Sequence, residues 1–390
     1  MRTLYLFTGD YPFGTKESFL EIEILYLCAQ FPKVVIIPMQ GMGTRQRPVP
    51  ENCEVLEPIR NTPYYKYLHA LSLRRFPFFL KEFFAKKVYL KKSRLRNFLI
   101  MVMGVNNYLE SPKVKKILSK VSKDDVFYSY WGKAGCILAP FVRNKVKHVS
   151  RFHGDWDLWG SCDDYAPIRE QVVANLDLAA FISEEGQKYF NARYYCKRTI
   201  VSRLGTINKD KVAQKSTDGV IRIVSCSRVY DVKRPELIYQ AIQLFENEKV
   251  EWTHIGDGPD LEKMRELALK SRQNVKINFI GSMSNAEVLE YYQSHSCDVF
   301  VNVSSIEGVP VSIMEAISYN IPAVGTDVGA TREVVTPKSG ILISSNPTVE
   351  EIKDAIIKVV HYDLTPREQW EERFNAEINY SNWAKTLFDL

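Results

Sequence analysis

Two carboxylates lie eight positions apart in the stretch 305–315, at Glu307 and Glu315, with a glycine and a proline just after the first. An apolar, strand-like run precedes them and a helix-like run follows. This order predicts Glu307 on the loop at the carboxyl end of a strand and Glu315 about one turn into the next helix. Ligands of open α/β sheets bind at that edge, where helix N-termini offer free N–H groups to anions. The pattern favours a phosphorylated ligand whose hydroxyl groups are held by the two carboxylates.

Two cations, Arg228 and Lys233, follow another strand-like run, at 221–225. On the loop that leaves this strand, guanidinium and ammonium groups can neutralise a diphosphate and stabilise the charge that develops on a departing oxygen. The alternative is a solvated surface loop, because most arginines and lysines are exposed. The carboxylate pair in the same half of the chain favours the first interpretation.

Two further strand ends in this half carry small residues. The turn 254–259 contains Gly256 and Gly258, which allow close backbone approach to a ligand or simply a tight turn. The stretch 279–283 ends in Ser282 and Met283. Its backbone would either pair with the edge of a nucleobase or form a plain loop.

The first half of the chain contributes a loop and a histidine. Residues 8–17 are rich in glycine and proline and include Gly14 and Glu17. They form neither the G-x-G-x-x-G nor the Walker pattern, so a dinucleotide or ATP fingerprint is absent. His153 follows the strand-like run 148–152, where it is either a catalytic group or a hydrogen-bonded structural histidine.

Asp155 and Asp157 have the D-x-D spacing that metal-dependent sugar transferases use to hold a divalent ion on a diphosphate. Two carboxylates around one residue are common by chance, and Arg228 with Lys233 already supply the positive charge that a metal would bring. The sequence therefore predicts no metal site.

Short apolar runs alternate with helical segments along the 390 residues, the pattern of parallel βαβ units. A polar stretch at 208–219 separates two such series. We predict an α/β fold of two Rossmann-like, doubly wound parallel-sheet domains facing across a cleft, at 1–207 and 208–365, with C-terminal helices at 366–390 that pack back on the first domain. The predicted strands are 3–8, 34–38, 126–130, 148–152, 178–183, 199–203, 221–225, 252–255, 276–280, 299–303, 322–325 and 340–343.

The composition is that of an ordinary globular protein, with 45% hydrophobic residues, 25% charged residues and a net charge of +6. The seven cysteines are scattered and form no C-x-x-C pair, which predicts reduced thiols rather than a disulfide framework or a zinc site. The first residues are too short for a signal peptide, and no run approaches the roughly 20 apolar residues of a membrane span. A cytoplasmic protein is expected.

The segment 64–98, called here the basic–aromatic segment, combines many aromatic and basic residues with a single acid, Glu82. On one helix beginning at Pro77, Leu80, Phe84, Val88 and Leu95 would share a face, but bases intrude on it. An interfacial helix that directs lysine and arginine toward anionic headgroups tolerates such a pattern. A helix pair with a solvated basic side is the structural alternative, and nucleic acid is not an expected partner.

These residues resemble the retaining glycosyltransferases of family 4, which have the two-domain GT-B fold. Residues 307–315 match the E-x7-E motif of that family, and Arg228 and Lys233 match its diphosphate-binding pair. The turn 254–259 resembles its G-x-G-P turn and 279–283 its base-binding strand end, while 151–154 and 183–186 also look like family segments. The loop at 9–17 lacks the tandem glycines of many members and looks like a subgroup linked to surface polysaccharide assembly.

The resemblance implies a role for each matched residue. Glu307 would contact the hydroxyls of the donor sugar, Glu315 would bind the nucleotide ribose, and Arg228 and Lys233 would stabilise the leaving diphosphate. His153 would lie near the sugar. The sugar, phosphate and base would be cradled by Gly308, Val309, Pro310 (which has no N–H to give), Gly256, Ser282 and Met283.

The resemblance also implies a retaining, metal-independent glycosyltransferase without a cofactor. It would move a hexose-type sugar from a UDP- or GDP-sugar, bound by the second domain, to a glycan or lipid-linked acceptor chosen by the first. Its expected setting is surface polysaccharide biosynthesis, in the cytoplasm or at the inner face of the membrane. Two alternatives remain: an inactive nucleotide-sugar-binding subunit, and a membrane-surface partner subunit of a glycosyltransferase complex.

Overall fold

The computed structural model describes residues 2–14, 17, 19–41, 47–59, 75–133, 135–142, 145–158 and 165–390, without the side chains of Asp155 and Trp156. The chain divides into two compact units, one formed by 1–202 with 380–390 and the other by 203–379. The polar stretch 208–219, which separates the two series of strands and helices in the sequence, belongs to the second unit. Its backbone is paired there, because Ala213 N donates to Tyr319 O at 2.8 Å and Ser216 N to Asp298 Oδ1 at 2.8 Å.

The sheet of the first unit has, among the described residues, seven parallel strands in the order β3-β2-β1-β4-β5-β6-β7. Its central strands are buried on both faces, which explains why they appear in the sequence as nearly continuous apolar runs. The order reverses between β1 and β4, where open sheets leave a crevice at the carboxyl ends of their strands. The strands are β1 (Thr3–Thr8), β2 (Lys33–Pro38), β3 (Cys53–Val55), β4 (Val126–Ser129), β5 (Lys147–Phe152), β6 (Leu178–Phe181) and β7 (Thr199–Val201).

The helices of the first unit begin with recognisable signals. Pro112 occupies the first turn of one of them, and the Ser183 hydroxyl caps another by accepting the Gly186 N–H at 3.1 Å. The described helices are α1 (Leu20–Gln30), α2 (Phe76–Ala85), α3 (Lys92–Glu110), α4 (Pro112–Leu118), α5 (Ala139–Val142), α6 (Asp155–Leu158), α7 (Arg169–Ala174) and α8 (Glu184–Asn191), with 3-10 turns at Val88–Leu90 and Gly135–Leu138.

The second unit is built on six parallel strands in the order β10-β9-β8-β11-β12-β13, so its order reverses between β8 and β11. The strands are β8 (Val220–Cys226), β9 (Lys249–Ile255), β10 (Val275–Gly281), β11 (Val299–Asn302), β12 (Ala323–Thr326) and β13 (Gly340–Ile343). The helices are α9 (Pro235–Ile242), α10 (Leu261–Ala268), α11 (Asn285–Ser294), α12 (Val311–Ser318), α13 (Thr331–Val334), α14 (Val349–His361), α15 (Pro366–Arg373) and α16 (Ala376–Phe388), with a 3-10 turn at Asp231–Lys233.

The C-terminal helices divide between the units, unlike the prediction that all of 366–390 packs on the first. Helix α15 lies in the second unit, and only 380–390 counts with the first. There Trp383 is buried, and its Nε1–H donates to Glu23 Oε1 at 3.0 Å. Glu23 also holds the buried Arg151 of β5 at 2.6 Å, so this polar group anchors the end of the chain to the first sheet.

The predicted strands are all present, with ends shifted by up to three residues. The sequence reading missed β3, because this strand has only three residues and lies at the sheet edge. Of the two interpretations of the basic–aromatic segment, the single helix after Pro77 is wrong, and the structure has two helices there, as in the structural alternative. Helix α2 ends at Ala85 and Lys87 adopts a left-handed conformation with φ 48°, which breaks the helix before α3. Leu80 and Phe84 are consequently exposed whereas Val88 is buried, so they share no face.

Candidate functional site

The main group of predicted site residues lies at the carboxyl ends of β8 and β11, the two strands between which the order of the second sheet reverses. The turn after β8 carries Lys233 and the loop after β11 carries Glu307. Lys233 Nζ donates to Glu307 Oε1 at 2.6 Å, and Asn302 Nδ2 donates to the same oxygen at 3.2 Å. Both partners of the ion pair are largely buried, so they form a defined charged pair in the crevice of this sheet.

Backbone contacts fix the loop that carries Glu307. Ser305 N donates to Val232 O at 2.8 Å and ties the loop to the turn of Lys233. Gly329, with φ 52°, lies so close that a Cβ there would stand 1.8 Å from Glu307 O, so only glycine fits. Ala330 N donates to Gly308 O at 2.9 Å. These contacts hold Glu307 beside Lys233 without help from a ligand.

Arg234 is a structural residue of this site that the sequence analysis missed. Its backbone is left-handed, with φ 50°, and its side chain spans two loops. Nε donates to Val303 O at 2.7 Å, and Nη2 donates to Ser304 O at 3.1 Å and to Ser345 O at 3.0 Å. No local pattern reports this role, because the contacts join residues about 70 and 110 positions away.

Helix α12 follows the loop directly and begins at Val311, after Pro310. No side chain among the described residues caps its N-terminus, so its first N–H groups remain donors for an anion. Gly308 and Val309 lie immediately before it, with Val309 buried. Glu315 lies one turn into this helix, as the spacing predicted.

Glu315 is half-buried, and Oε1 accepts a hydrogen bond from Asn285 Nδ2 at 2.6 Å. Burial raises the pKa of this carboxyl to about 7, although the Asn285 hydrogen bond opposes the shift. Burial and then the charge of Glu315 raise the pKa of the Cys226 thiol to about 12, whereas Lys233 lowers it. Cys226, at the end of β8, is therefore near enough to Glu315 and to Lys233 to feel both charges. Asn285 was not predicted from the sequence.

Three other predicted residues of the second unit make no hydrogen bond or ion pair with Lys233 or Glu307 in the described part of the chain. Arg228 is exposed, with its guanidinium carbon 5.9 Å from the ring centre of Tyr230, and it contacts neither Lys233 nor Glu307. Ser282 is exposed and Met283 half-buried just after β10. Arg228 is thus available to a ligand rather than held in the preformed pair.

The turn after β9 packs closely against the backbone of the loop after β8. A Cβ at Gly256 would stand 1.9 Å from Ser227 O, and one at Gly258 would stand 2.2 Å from Val229 O. His254 Nδ1 lies 2.8 Å from Ser225 Oγ and Nε2 lies 3.1 Å from Ser227 O, and burial lowers its pKa to about 4. The turn glycines are therefore required by loop packing, which was the structural alternative for this motif.

A second group of predicted residues lies at the reversal point of the first sheet. Glu17, with φ 58°, accepts the backbone N–H groups of Gly9, Asp10 and Tyr11 at 2.7–2.9 Å, and its carboxylate also accepts the Trp131 indole N–H. The loop after β1 thus has its own carboxylate where an anion would bind. Gly14 adopts φ 65° and a Cβ there would meet nothing within 4 Å. Glu17 therefore organises the loop through these hydrogen bonds. The sequence analysis assigned Glu17 to this loop but did not predict this role.

His153 follows β5 in the same unit and is buried. Its Nε2 lies 2.9 Å from Tyr130 O, a pure acceptor, so Nε2 carries the proton and Nδ1 is the acceptor of the neutral ring. Burial and then the charge of Arg151 lower the pKa of His153 well below its usual value. The ring centres of Tyr130 and Trp131 are each 4.5 Å away. His153 is a neutral imidazole in an aromatic setting at pH 7.

The described residues contain no group of three or more histidine, cysteine, aspartate or glutamate side chains placed to hold a metal ion. In the same part of the chain, no helix combines the length and the apolar character needed to span a membrane.

The family model described as "Glycosyl transferases group 1" matches residues 206–375. This segment covers nearly all of the second unit and includes the loops of Lys233 and Glu307. Residues 206–375 therefore resemble a group 1 glycosyltransferase domain.

The similarity to relatives and to solved structures extends beyond residues 206–375 of this chain. It is 24% identical over 323 residues to the amylovoran biosynthesis glycosyltransferase AmsK of Erwinia amylovora, covering 76% of this chain and 78% of the relative. It is 25% identical over 292 residues to the putative colanic acid biosynthesis glycosyltransferase WcaL of Escherichia coli K12, covering 67% and 70%. HepE of Anabaena, solved in complex with UDP, matches with a TM-score of 0.65 at 16% identity over the whole of both chains. The fold is GT-B, and family and relatives support a glycosyltransferase.

Proposed function

We propose that this glycosyltransferase is a retaining, metal-independent enzyme that moves a hexose-type sugar from a UDP- or GDP-sugar to a glycan or lipid-linked acceptor. The observation that carries the proposal is the Lys233–Glu307 pair, 2.6 Å apart, with Glu315 on the next helix. This set offers an ammonium for a diphosphate and carboxylates for sugar and ribose hydroxyls. UDP in the complex of HepE supports a nucleotide-diphosphate donor.

We assign the donor contacts within the second unit accordingly. Lys233 and the exposed Arg228 neutralise the diphosphate, together with the N–H groups at the start of α12. Oε2 of Glu307 accepts no hydrogen bond within the described part of the chain, so it is free to accept one from a sugar hydroxyl. Glu315 accepts from the ribose.

Transfer on one face of the sugar fits these residues better than a covalent intermediate. A carboxylate that already holds an ammonium at 2.6 Å is a weak nucleophile. In the proposed step the acceptor oxygen bonds to the anomeric carbon while the bond to the diphosphate oxygen breaks. The acceptor proton passes to the departing phosphate oxygen, and Lys233 stabilises the charge that develops there.

The relatives named for amylovoran and colanic acid biosynthesis support a role in surface polysaccharide assembly. The exposed side chains of 75–98, the described part of the basic–aromatic segment, support contact of the protein with an anionic membrane. This part presents exposed apolar side chains beside exposed lysines, notably Phe84, Tyr89, Leu90, Lys87, Lys91 and Lys92. This combination suits a lipid surface, which takes up apolar rings and attracts bases.

A thermal-shift screen across UDP-, GDP- and ADP-sugars tests the donor, because a ligand that binds only the folded protein raises its apparent stability. The donor that binds is then mixed with candidate glycan acceptors. Release of free nucleoside diphosphate and an unchanged anomeric configuration in the product, read by NMR, are the expected results. A bound donor that is never turned over would favour the inactive-subunit alternative, and an inverted product would overturn retention.

A further inference from the structure

Asn285 contacts a predicted donor-binding residue although it lies in another helix. It is the first residue of α11, and its Nδ2 donates to Oε1 of Glu315, in α12, at 2.6 Å. Helix α11 follows β10 and α12 follows the loop after β11, so both helices begin at the carboxyl edge of the second sheet. Ligands of open parallel sheets bind at this edge.

The start of α11 is capped without the side chain of Asn285. Ser284 Oγ accepts the Glu287 N–H at 3.4 Å, and Glu287 Oε2 accepts the Ser284 N–H at 2.7 Å, which completes a capping box. Within the described part of the chain, the Asn285 amide makes its hydrogen bond with α12 and none with its own helix. The contact with Glu315 is therefore separate from helix capping.

The Glu315 carboxylate has little support besides Asn285. Among the described residues, no lysine or arginine forms an ion pair with it, and Oε2 accepts no hydrogen bond. Burial raises the pKa of Glu315 to about 7, and the hydrogen bond from Asn285 is the interaction that opposes this shift. An amide that donates to a carboxylate stabilises the ionised form. Asn285 thus stabilises a charge that burial disfavours.

The titratable groups around Glu315 come from three elements. Among the described residues they are Cys226 of β8, Tyr292 of α11 and Tyr319, which follows α12. In each, burial is the main cause of a raised pKa and the charge of Glu315 adds to it, with the Cys226 thiol at about 12. The charged Lys233 acts on Cys226 and forms no ion pair with Glu315. Near pH 7, Glu315 is therefore the group of this cluster that titrates.

We propose that Asn285 is a positioning residue for the sugar-nucleotide donor: by holding Oε1, it fixes the Glu315 carboxylate, which accepts a ribose hydroxyl through Oε2. This inference rests on the proposed function, in which Glu315 binds the ribose. An acceptor that is already fixed loses less conformational entropy when the donor binds. The ribose is remote from the bond that breaks, so Asn285 acts on donor affinity and leaves the chemical step unchanged.

Asn285→Ala removes the hydrogen bond and keeps Glu315. The KM for the donor should rise about fivefold while kcat stays within about twofold, because the lost contact is the same in the ground state and the transition state. The midpoint of donor affinity against pH should move upward by about half a unit, because the interaction that lowers the pKa of Glu315 is gone. Initial rates at several pH values measure both. A wild-type KM with an unchanged pH profile, or a loss confined to kcat, overturns the proposal.

Asn278→Ala is the matched control. Asn278 Nδ2 donates to Glu251 Oε1 at 2.8 Å, so this variant also breaks an asparagine–glutamate hydrogen bond of the second unit. Glu251 keeps its ion pairs with Lys276 and Arg222. The KM for the donor and the pH profile should match those of the wild type. Equal shifts in Asn278→Ala and Asn285→Ala would mean that loosening of the unit weakens binding, which overturns the role of the Glu315 contact.

Asn285→Asp separates the hydrogen bond from the shape of the side chain. Two carboxylates in contact repel each other unless one is protonated, so donor binding at pH 7 should be weaker than in Asn285→Ala. Folding of α11 should not suffer, because an acid is favourable in the first turn of a helix. Donor binding as tight as in the wild type would show that the shape of residue 285 suffices, and would overturn the proposal.

A double-mutant cycle tests whether Asn285 acts through Glu315. Donor affinity is measured by calorimetry in the wild type, Asn285→Ala, Glu315→Ala and the double variant. Without the carboxylate, Asn285→Ala should weaken binding less than about twofold further. The same loss in both backgrounds would show that Asn285 contacts the donor itself, and the positioning role would be wrong.

Failure of this inference is distinguishable from failure of the proposed function. If a donor is bound and cleaved but Asn285→Ala changes neither KM nor the pH profile, the function stands and the role of Asn285 is wrong. If no donor binds, the function fails, and urea unfolding at several pH values still tests the contact. The stability contributed by Glu315 should then be lost at a higher pH in Asn285→Ala than in the wild type, because its folded-state pKa is raised further. An unchanged unfolding profile would overturn the contact as well.

Discussion

Lys233 Nζ lies 2.6 Å from Glu307 Oε1, although the two residues are 74 positions apart in the chain. They meet because β8 and β11 are neighbours at the point where strand order reverses, and because Arg234 and Ser305 fix the loops that follow these strands. The ammonium uses one of its three donors on Glu307 and keeps the others for a ligand. The pair is thus preformed, and it keeps donors and an acceptor for the phosphate and hydroxyl groups of the proposed donor.

Replacing Lys233 by alanine should lower kcat by on the order of a hundredfold, because its contact with the departing diphosphate strengthens in the transition state. Lys263→Ala is the matched control. It also removes a lysine from a Lys–Glu pair of the second unit, with Glu236, but this pair lies on the surface. Its kcat should stay within about twofold of the wild type. The measurement is release of nucleoside diphosphate at saturating donor.

Glu307→Gln refines this prediction. The amide keeps the shape of the side chain and loses its charge, so Lys233 has no anionic partner and sugar hydroxyls lose a strong acceptor. We expect kcat to fall while nucleoside diphosphate itself binds at least as tightly, since the freed ammonium is more available to it. Wild-type rates in both Lys233→Ala and Glu307→Gln would remove the pair from the mechanism.

The raised pKa of Glu315, about 7, predicts a pH dependence of donor binding. Ribose hydroxyls donate to a carboxylate, so binding favours the ionised form, and affinity should rise with pH. Roughly three- to tenfold weaker binding is expected at pH 6 than at pH 8. The probe is an intact UDP-sugar, because its diphosphate diester does not titrate in this range, and the readout is calorimetry with net proton release.

The same carboxyl should affect the free protein in the opposite sense. Because its pKa is higher in the folded state than in the unfolded state, it stabilises the fold fully below about pH 4.5, and this contribution is lost as pH rises through about 7. Glu315→Gln should remove both pH dependences. A variant whose donor affinity still varies with pH in the wild-type manner would assign the titration to another group.

Much of this site could be predicted from local sequence. The alternation of strands and helices placed Glu307 after a strand and Glu315 one turn into a helix, and the structure has them there. Such positions follow from periodicity within about 15 residues, which a single sequence displays. Lys233 and Glu307 were assigned to one ligand by type, and their direct ion pair appears only when the two strands are seen to be neighbours.

Contacts between distant segments account for what the sequence left open. Asn285 reaches Glu315 across 30 positions, and Glu17 accepts the indole N–H of Trp131 across 114 positions. Neither pairing leaves a periodic pattern. The break at Lys87 also escaped prediction, because a left-handed lysine has no composition signal of the kind that glycine gives. Local propensity predicted the elements, and tertiary packing decided their ends and partners.

Reversing the charges of Lys86, Lys87, Lys91 and Lys92 to glutamate should abolish sedimentation of the protein with vesicles containing anionic lipid. Each base near such a surface contributes about 1 kcal/mol, so the four reversals remove about 4 kcal/mol of attraction and add repulsion. Lys116→Glu with Lys120→Glu is the control, since both lysines are exposed on the first unit outside this segment. Unchanged sedimentation after the four reversals would contradict membrane contact through 75–98.

Removing divalent metal should leave transfer unchanged. In the proposed function Lys233 and Arg228 supply the positive charge at the diphosphate, and the described residues form no metal-ligating group. Dialysis against EDTA, followed by assays with and without added Mg²⁺ or Mn²⁺, should give rates within about twofold of each other. Loss of activity that either ion restores would show that a metal holds the diphosphate and would reopen the case for Asp155 and Asp157.

Glu23→Gln should destabilise the first unit by about 3–5 kcal/mol, because it leaves the fully buried Arg151 without its counterion. Trp383→Phe should cost less, about 1–3 kcal/mol, since it removes the indole N–H that donates to Glu23 and part of the packing of the C-terminal helix. Glu54→Gln is the control, because it breaks a pair with Lys33 that is half exposed, and a change below about 1 kcal/mol is expected. The measurement is urea unfolding followed by circular dichroism. Equal effects of Glu23→Gln and Glu54→Gln would show that the buried pair tolerates the loss of its charge, and that apolar packing alone anchors residues 380–390.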